Sequence, residues 1–518
     1  MGKMDSALSI PAFYSGKSIF ITGATGFLGK CLIEKLLRSC PDIGEIFLLI
    51  RPKKGDHINE RLRQMLTNPL FDTLRRKQPT CFDKLIPIEG DIGFKGLGLS
   101  AADRDTLIEK ISVIFHIAAY VKFENTLKNA ILKNVRSTRD ICILGEQIKN
   151  LSVLVHISTA YTKLDEVVID ETVHPVEADW RKTIQIAEAL DDDISEVFKS
   201  KYLGKLPNHY VFSKRLAEQI IVDYSRSLPC VICRPSLVVS SLNEPIKGWI
   251  DNFNGPISIH IGIGKGVLRI LYADRMTRNN YVPIDIVTKM MIVAAWKHGT
   301  KMTETQDDFP FIYNCAATYS TTLTFEESRQ MGLSLGKKNP FDNIMWRPSV
   351  TFTKSYFFYY LLTLLVHIMP ALVIDGLLRL SGRKPRLLKV QRKIFVANQI
   401  VAYFMLNEWN IRNEKIKSLS DEILPDDQRE FGYLRNLNDK NFNIYNDTYY
   451  ENAIIGSKIY LLNESMDQLD AAKSHFNRMV WIDRIVKTLA GFYLIWIIYG
   501  ILCNYVNCLS SMITSYDI

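Results

Sequence analysis

Short runs of aliphatic and β-branched residues punctuate the first half of the chain: "KSIFIT", "EIFLLI", "KLIPIEG", "SVIFHIA", "SVLVHIS" and "PCVICRPS". Turn-forming residues bound them, and they lack the strict polar–apolar alternation of a strand with one wet face. Continuous apolar strands are the mark of a sheet buried on both sides. Between them lie stretches with apolar residues at helical spacing, notably Leu28–Arg38 and Asn125–Gln147. The alternation predicts an α/β protein, a Rossmann-type doubly wound parallel sheet flanked by helices.

The pattern changes further along. Around Pro245–Asn280 it gives way to a glycine-rich stretch, expected to cap the sheet. From about Thr351 a mainly helical C-terminal region follows. We therefore divide the chain into a sheet-bearing domain at 1–345, with a core at about 15–240 and a lobe at about 241–345, and a C-terminal domain at 351–470. No charged residue occurs from Thr488 to Tyr516, and about 20 apolar residues suffice to cross a bilayer as a helix. The expected membrane segment is 488–508, with Arg484 and Lys487 holding the preceding chain on the cytosolic side. A second apolar run, Tyr356–Ile374, is interrupted by His367 and Pro370 and closed by Asp375. It either dips into the membrane interface or packs as a hydrophobic hairpin in a substrate-binding lobe.

At 518 residues, 47% hydrophobic and 23% charged, the chain is long enough for more than one substantial core and is not a disordered one. Its net charge of +9 is local, because Arg379, Arg383, Lys384, Arg386, Lys389, Arg392 and Lys393 crowd one short segment. Such a segment suits a phosphorylated ligand, nucleic acid or anionic lipid, or is simply a solvated helix face. The nine cysteines have no framework spacing, and Cys230 and Cys233 fall within a strand, so no disulfide set or metal site is read from them; a reducing, cytosol-facing setting fits. "MGKMDS" matches the pattern for myristoylation of Gly2.

The most informative stretch is "SIFITGATGFLGKCLIEKLL", a strand running into Gly23, Gly26 and Gly29 and then at once into a helix. Glycines there allow a tight turn, close approach of a pyrophosphate and close strand–helix packing, and the helix start faces negative charge. Thr22, Gly23, Thr25, Gly26, Phe27, Leu28 and Gly29 are the expected dinucleotide contacts. A P-loop is excluded, since Ala24 and Cys31 stand where glycine and Ser or Thr are required. The next strand ends in Arg51, where an acidic residue would clamp the ribose of NAD; a cation suits a 2′-phosphate, so NADPH is expected. Asp91 is placed at the adenine, and Ala118 with Ala119 keeps the following strand end small beside the cofactor.

Chemistry is expected from "NHYVFSKRLAE". Tyr210 and Lys214 are four apart and share a helix face. A phenol titrates near 10, and a nearby ammonium lowers that value, so Lys214 is expected to ease proton loss from Tyr210 while reaching the nicotinamide ribose. Ser158 and Thr159 in "VHISTAY" offer a hydroxyl to polarise a carbonyl, and either of the two suits. His156 is read as a packed strand residue, and Asn134 as a relay, capping or core residue.

With these stretches assembled, the chain resembles the extended short-chain dehydrogenase/reductases, and more closely the alcohol-forming fatty acyl-CoA reductases of animals. The matching residues are "TGATGFLG", "LLIRP", "HIAA", "ISTAY", "PNHYVFSKRLAE", "RPS" at Arg234–Ser236 and "GWIDNFNGP" at Gly248–Pro256. Ser137 departs from a common glycine, a change helix packing should absorb. The resemblance covers nearly the whole chain. It implies two-step, NADPH-dependent reduction of a long-chain acyl-CoA to a fatty alcohol, through a hemithioacetal and an aldehyde, with release of CoA. It further implies a cytosol-facing enzyme on the endoplasmic reticulum or peroxisome, in contact with the bilayer, with no nucleic-acid partner; a homodimer stays open. The alternatives are a membrane-bound hydroxysteroid or sterol dehydrogenase and a catalytically inactive lipid-binding scaffold.

Overall fold

The computed structural model describes residues 8–514 except 54, 56, 122–125, 192–202, 205, 301–309 and 434–445, with side chains described as far as Asn507. Gly2 and its acylation pattern lie outside the described residues.

Seven parallel strands form the central sheet: β1 (Ser18–Thr22), β2 (Ile46–Ile50), β3 (Leu85–Glu89), β4 (Ile111–His116), β5 (Val153–Ile157), β6 (Cys230–Pro235) and β7 (Phe311–Cys315). Their spatial order is β7-β6-β5-β4-β1-β2-β3. The chain thus winds outward from β1 in one direction and then, from β4, in the other. A doubly wound sheet leaves a crevice beyond the carboxyl ends of its strands at that reversal, between β1 and β4. β1, β2, β5 and β6 are buried almost throughout, which explains their unbroken apolar runs. The strands expected from sequence are all present; β7 is an addition.

Helix α1 (Phe27–Ser39) follows β1, and helix α2 (His209–Tyr224) precedes β6. Asn208 caps α2, its side chain accepting from the Val211 N–H at 2.9 Å. The stretch read as Asn125–Gln147 is helical from Leu127 to Gln147 and contains a π-helical turn at Ile131–Arg136. Ser137, at the end of that turn, is fully buried and donates to the Lys133 carbonyl at 2.5 Å, so the extra hydroxyl is absorbed locally.

Two buried devices fix α2 and the lobe. Arg234 on β6 meets Glu218 on α2 through two bonds of 2.8 and 2.6 Å, and neither side chain is exposed. Trp249 of "GWIDNFNGP" is fully buried, stacks on Phe27 at 5.2 Å and donates to Asn68 at 3.2 Å. Gly248 has φ +73°, and a Cβ there would strike the Asn452 carbonyl, so only glycine fits the turn that sets the tryptophan. The glycine-rich stretch is therefore a wall of the crevice, not a simple cap over the sheet.

The C-terminal region packs into the same core. Ile416, Leu419, Phe431, Tyr433 and Tyr449 belong to the cluster that contains β1 and β2 side chains. Glu171 ties the parts together, its carboxylate accepting from the Asn314 N–H at 2.9 Å and the Lys415 N–H at 2.7 Å. Among the described residues two helices are long and apolar enough to cross a membrane, Tyr356–Leu380 and the 42-residue stretch Met466–Asn507. Along the second, large apolar side chains from Trp481 to Val506 stand exposed, and both surfaces point to membrane association.

Candidate active site

A cavity of about 1600 Å³ opens at the carboxyl ends of β1, β4, β5 and β6. Gly23, Thr25, Gly26, Phe27, Leu28 and Gly29 line it, as do Arg51, Asp91, Ala118 and Ala119. The glycine turn fits a dinucleotide on steric grounds. Gly23 has φ +77°, and a Cβ there would lie 2.8 Å from the Ala118 nitrogen. A Cβ on Gly29 would collide with the Gly23 carbonyl. Both glycines let the turn, α1 and the end of β4 close upon one another, leaving the first N–H groups of α1 toward the cavity.

Thr22 corrects one expectation. It is fully buried and does not line the cavity. Its Oγ1 accepts from the Ala118 N–H at 3.1 Å and lies 2.8 Å from His116 Nδ1, so it braces the turn against β4 from behind. Lys30 pairs with Asp251 and thereby joins α1 to the "GWIDNFNGP" segment.

Arg51 is exposed and 3.7 Å from Asp91. Sequence reasoning missed Arg61, which also lines the cavity and donates to the Arg51 carbonyl. No spacing rule signals it, because it reaches the site from a helix beyond the loop that follows β2. Asp91 accepts from the Gly93 N–H at 2.8 Å, which holds its loop.

Tyr210, Lys214, Ser158 and Thr159 all line the same cavity. The i, i+4 spacing on α2 thus puts the phenol and the ammonium on one wall, as expected. Lys214 is buried and donates to the Ile157 carbonyl at 2.6 Å, the last residue of β5. Burial pushes its pKa down to about 8, opposed by Glu218 one turn along. Burial pushes the Tyr210 phenol up to about 12. The phenol's shift thus runs upward, with desolvation as its cause, and the Lys214 ammonium is engaged by a backbone carbonyl.

The two candidate hydroxyls differ. Thr159 Oγ1 accepts from the Tyr161 N–H at 3.4 Å, within its own turn. Ser158 Oγ is buried, lines the cavity and has no protein partner among the described residues. Two groups not anticipated from sequence share that condition, Ser236 Oγ at the end of β6 and Asn279 Nδ2. An unpaired buried polar atom costs about 1–3 kcal/mol. Three on one cavity wall point to a ligand that completes them.

Asn134 is no free relay group. It donates to Ser213 at 2.9 Å and to the Tyr120 carbonyl at 3.2 Å, and accepts from the Tyr120 N–H at 2.7 Å. It ties the loop after β4 to α2. His156 is buried beside His116, with burial holding its pKa well below the usual value, a packed residue as read from sequence.

Much of the remaining cavity wall is apolar, including Ile261, Leu271, Phe341, Phe352, Val401 and Phe404. Among the described residues every charged side chain on it except Asp91 is a lysine or arginine.

The comparisons with known proteins agree with this geometry. "Male sterility protein" family models match residues 21–291, as an NAD-binding domain, and 366–464. Fatty acyl-CoA reductase 1 of Xenopus laevis and of Homo sapiens are each 37% identical over 473 residues, 91% of this chain and 90% of theirs. The chain belongs to the fatty acyl-CoA reductase family. Fatty acyl-CoA reductase 2 of Mus musculus is 35% identical over 94% of this chain and 92% of its own. Among solved structures, a reductase domain of a non-ribosomal peptide synthetase from Mycobacterium tuberculosis shares the fold. It has a TM-score of 0.57 at 15% identity, covering 88% of this chain and 94% of that one. The terminal R domain of the myxalamid pathway matches with a TM-score of 0.55 at 17% identity, over 86% and 90%. As a fatty acyl-CoA reductase the protein is an oxidoreductase, and the NAD-binding match over residues 21–291 gives it a nicotinamide cofactor.

Proposed function

We propose that the protein reduces long-chain fatty acyl-CoA to the fatty alcohol with two equivalents of NADPH, passing through a hemithioacetal and an aldehyde and releasing CoA. The observation that carries the reading is one cavity in which the glycine turn and Tyr210/Lys214/Ser158 share walls with a long apolar lining and a cationic set of charged groups. The apolar part suits an acyl chain; the cations suit the phosphates of both NADPH and CoA.

The glycine turn would hold the pyrophosphate, Arg51 with Arg61 the 2′-phosphate, and Lys214 the nicotinamide ribose. The reduced nicotinamide supplies hydride to the substrate carbonyl. Ser158 donates a hydrogen bond to the carbonyl oxygen and supports the charge that develops there. Tyr210 gives that oxygen its proton, forming the hemithioacetal in the first round and the alcohol in the second. A phenol held near 12 keeps its proton until an oxyanion of higher basicity stands beside it. Collapse of the hemithioacetal breaks the C–S bond, and CoA leaves as a thiol or thiolate. We place the enzyme on the cytosolic side of the endoplasmic reticulum or peroxisome, where an acyl-CoA is at hand and a lipid-soluble product can leave into the bilayer.

Membranes carrying the protein, given palmitoyl-CoA and NADPH, are expected to release free CoA and hexadecanol in equal amounts, with two NADPH consumed per alcohol. Absence of CoA release across a chain-length series, with sterol-dependent turnover of NAD instead, overturns the proposal.

A further inference from the structure

The helix Tyr356–Leu380 has an inverted surface. Its buried positions are Tyr359, Thr363, His367, Ala371 and Asp375, each 4 residues from the next, a single row along one side. The remaining circumference is apolar and exposed: Phe357 is 69% exposed, Val373 64%, Leu377 61% and Leu380 87%. A helix that ends at water carries polar residues on that side. At about 1.5 Å per residue the helix is long enough to span a bilayer.

Its attachments exclude a crossing. Just before it, Thr351–Thr353 pairs with Ile270–Tyr272. In its middle, His367 Nε2 accepts from the Arg269 N–H at 2.9 Å. At its end the Asp375 carboxylate accepts the N–H groups of Arg386, Leu387 and Leu388 at 3.1, 3.0 and 2.9 Å, starting the return helix Leu387–Leu406. That return helix bonds the same short strand, Asn398 accepting from the Tyr272 N–H at 3.3 Å and donating to the Ile270 carbonyl at 3.2 Å. The start and middle of the helix are thus held at or beside one short strand, and its end is bonded to a return helix that comes back to the same strand, so the hairpin enters and leaves on one side of a membrane.

The connection and the start of the return helix carry the charge. Arg379, Arg383, Lys384, Arg386, Lys389 and Arg392 are exposed, make no ion pair among the described residues, and have no carboxylate in the sequence between them. An apolar flank beside a cationic edge complements acyl chains beneath anionic headgroups.

We propose that the hairpin of Tyr356–Leu380 and Leu387–Leu406 is a second membrane contact, which lies in the interface of an anionic bilayer without crossing it. Its outer apolar side rests among acyl chains and the Arg379–Arg392 cations rest at the headgroup phosphates. The return helix and the terminal helix share the cavity wall, which takes Ile394 and Val401 from the first and Phe476 and Val480 from the second. The inference does not depend on the reaction assigned above.

The test uses the full chain reconstituted in vesicles of phosphatidylcholine alone or mixed with phosphatidylserine in roughly a 3:1 ratio. A polarity-sensitive fluorophore is attached at Val373→Cys, at Phe357→Cys as a second outer site, and at Lys149→Cys as a control on the reductase surface, with the parent's own labelling subtracted. In the anionic vesicles the probes at 373 and 357 are expected to shift to the blue and to be quenched by nitroxide-labelled lipid several-fold more than the probe at 149. The quadruple variant Arg383→Gln, Lys384→Gln, Arg386→Gln, Lys389→Gln, or about 1 M salt, is expected to bring that quenching down to the phosphatidylcholine level. Probes at 373 and 357 that stay as wet as the control overturn the proposal. So do probes shielded without lipid quenching, which would place a second copy of the chain on this side, and quenching indifferent to phosphatidylserine and to the variant.

Discussion

At the sheet, the groups that form and brace the cavity are fixed one at a time. Gly23 and Gly29 are set by clashes no other residue escapes, Lys214 by the Ile157 carbonyl, and Asn134 by three bonds to its neighbours. At the helical hairpin the reverse holds: one buried row fixes the element, and the rest of its surface is apolar and unspecific. The difference follows from what each region meets. Chemistry at a carbonyl needs oriented donors placed within tenths of an ångström, whereas a hydrocarbon layer has no directional groups to match. The sheet region should therefore be intolerant of single atoms, and the hairpin should respond only to changes in total apolarity or charge.

The sharpest way to break this contrast is at the two hydroxyls. Ser158→Ala is expected to lower kcat for acyl-CoA reduction by roughly 10²–10³-fold, the usual loss for one oxyanion donor. Thr159→Val should cost far less, since that hydroxyl serves its own turn. Equal losses in the two variants, measured under saturating substrate, would remove the distinction between them. Next in size, Arg51→Asp is expected to raise the KM for NADPH by roughly tenfold to a hundredfold, the worth of a charge-assisted bond, and to narrow the preference over NADH. Initial rates with both cofactors measure this. The smallest effect is in pH. The folded Lys214 has its pKa depressed from the ordinary lysine value to about 8, so it loses its charge as pH rises through that value, well before an exposed lysine does. kcat/KM, which reports the free enzyme, is expected to fall several-fold from pH 7 to pH 9. A profile flat to pH 10 would show that the ammonium is not needed.

Much of the sheet region was legible in the sequence because its constraints are local. Continuous apolar strands, a glycine triplet between strand and helix, and a Tyr-x-x-x-Lys spacing each express a geometry within one or two elements. What escaped depends on long-range placement. Arg61 and Asn279 enter the cavity wall from segments with no pattern of their own, and Ser236, though at the end of a legible strand run, carries no spacing that marks its hydroxyl. Thr22 was assigned to the cofactor by its motif, yet the closing of β1 on β4 turns its hydroxyl inward. The pairing of Tyr210 with Lys214 was visible, but the sign of the phenol's shift was not, because it is set by burial that no spacing reveals. For Tyr356–Leu380 the apolar run was plain, and its environment became readable only when Arg269 showed where the helix is pinned and Asn398 where its return partner is.

The most direct test of the account is Tyr210→Phe, which removes one oxygen and leaves the ring in place. NADPH binding, followed by the cofactor's fluorescence, should be unchanged within about twofold, while release of CoA from palmitoyl-CoA falls by roughly 10²–10⁴-fold, the range for loss of a general acid. Normal CoA release in that variant, with intact cofactor binding, would contradict the assignment of the proton to Tyr210.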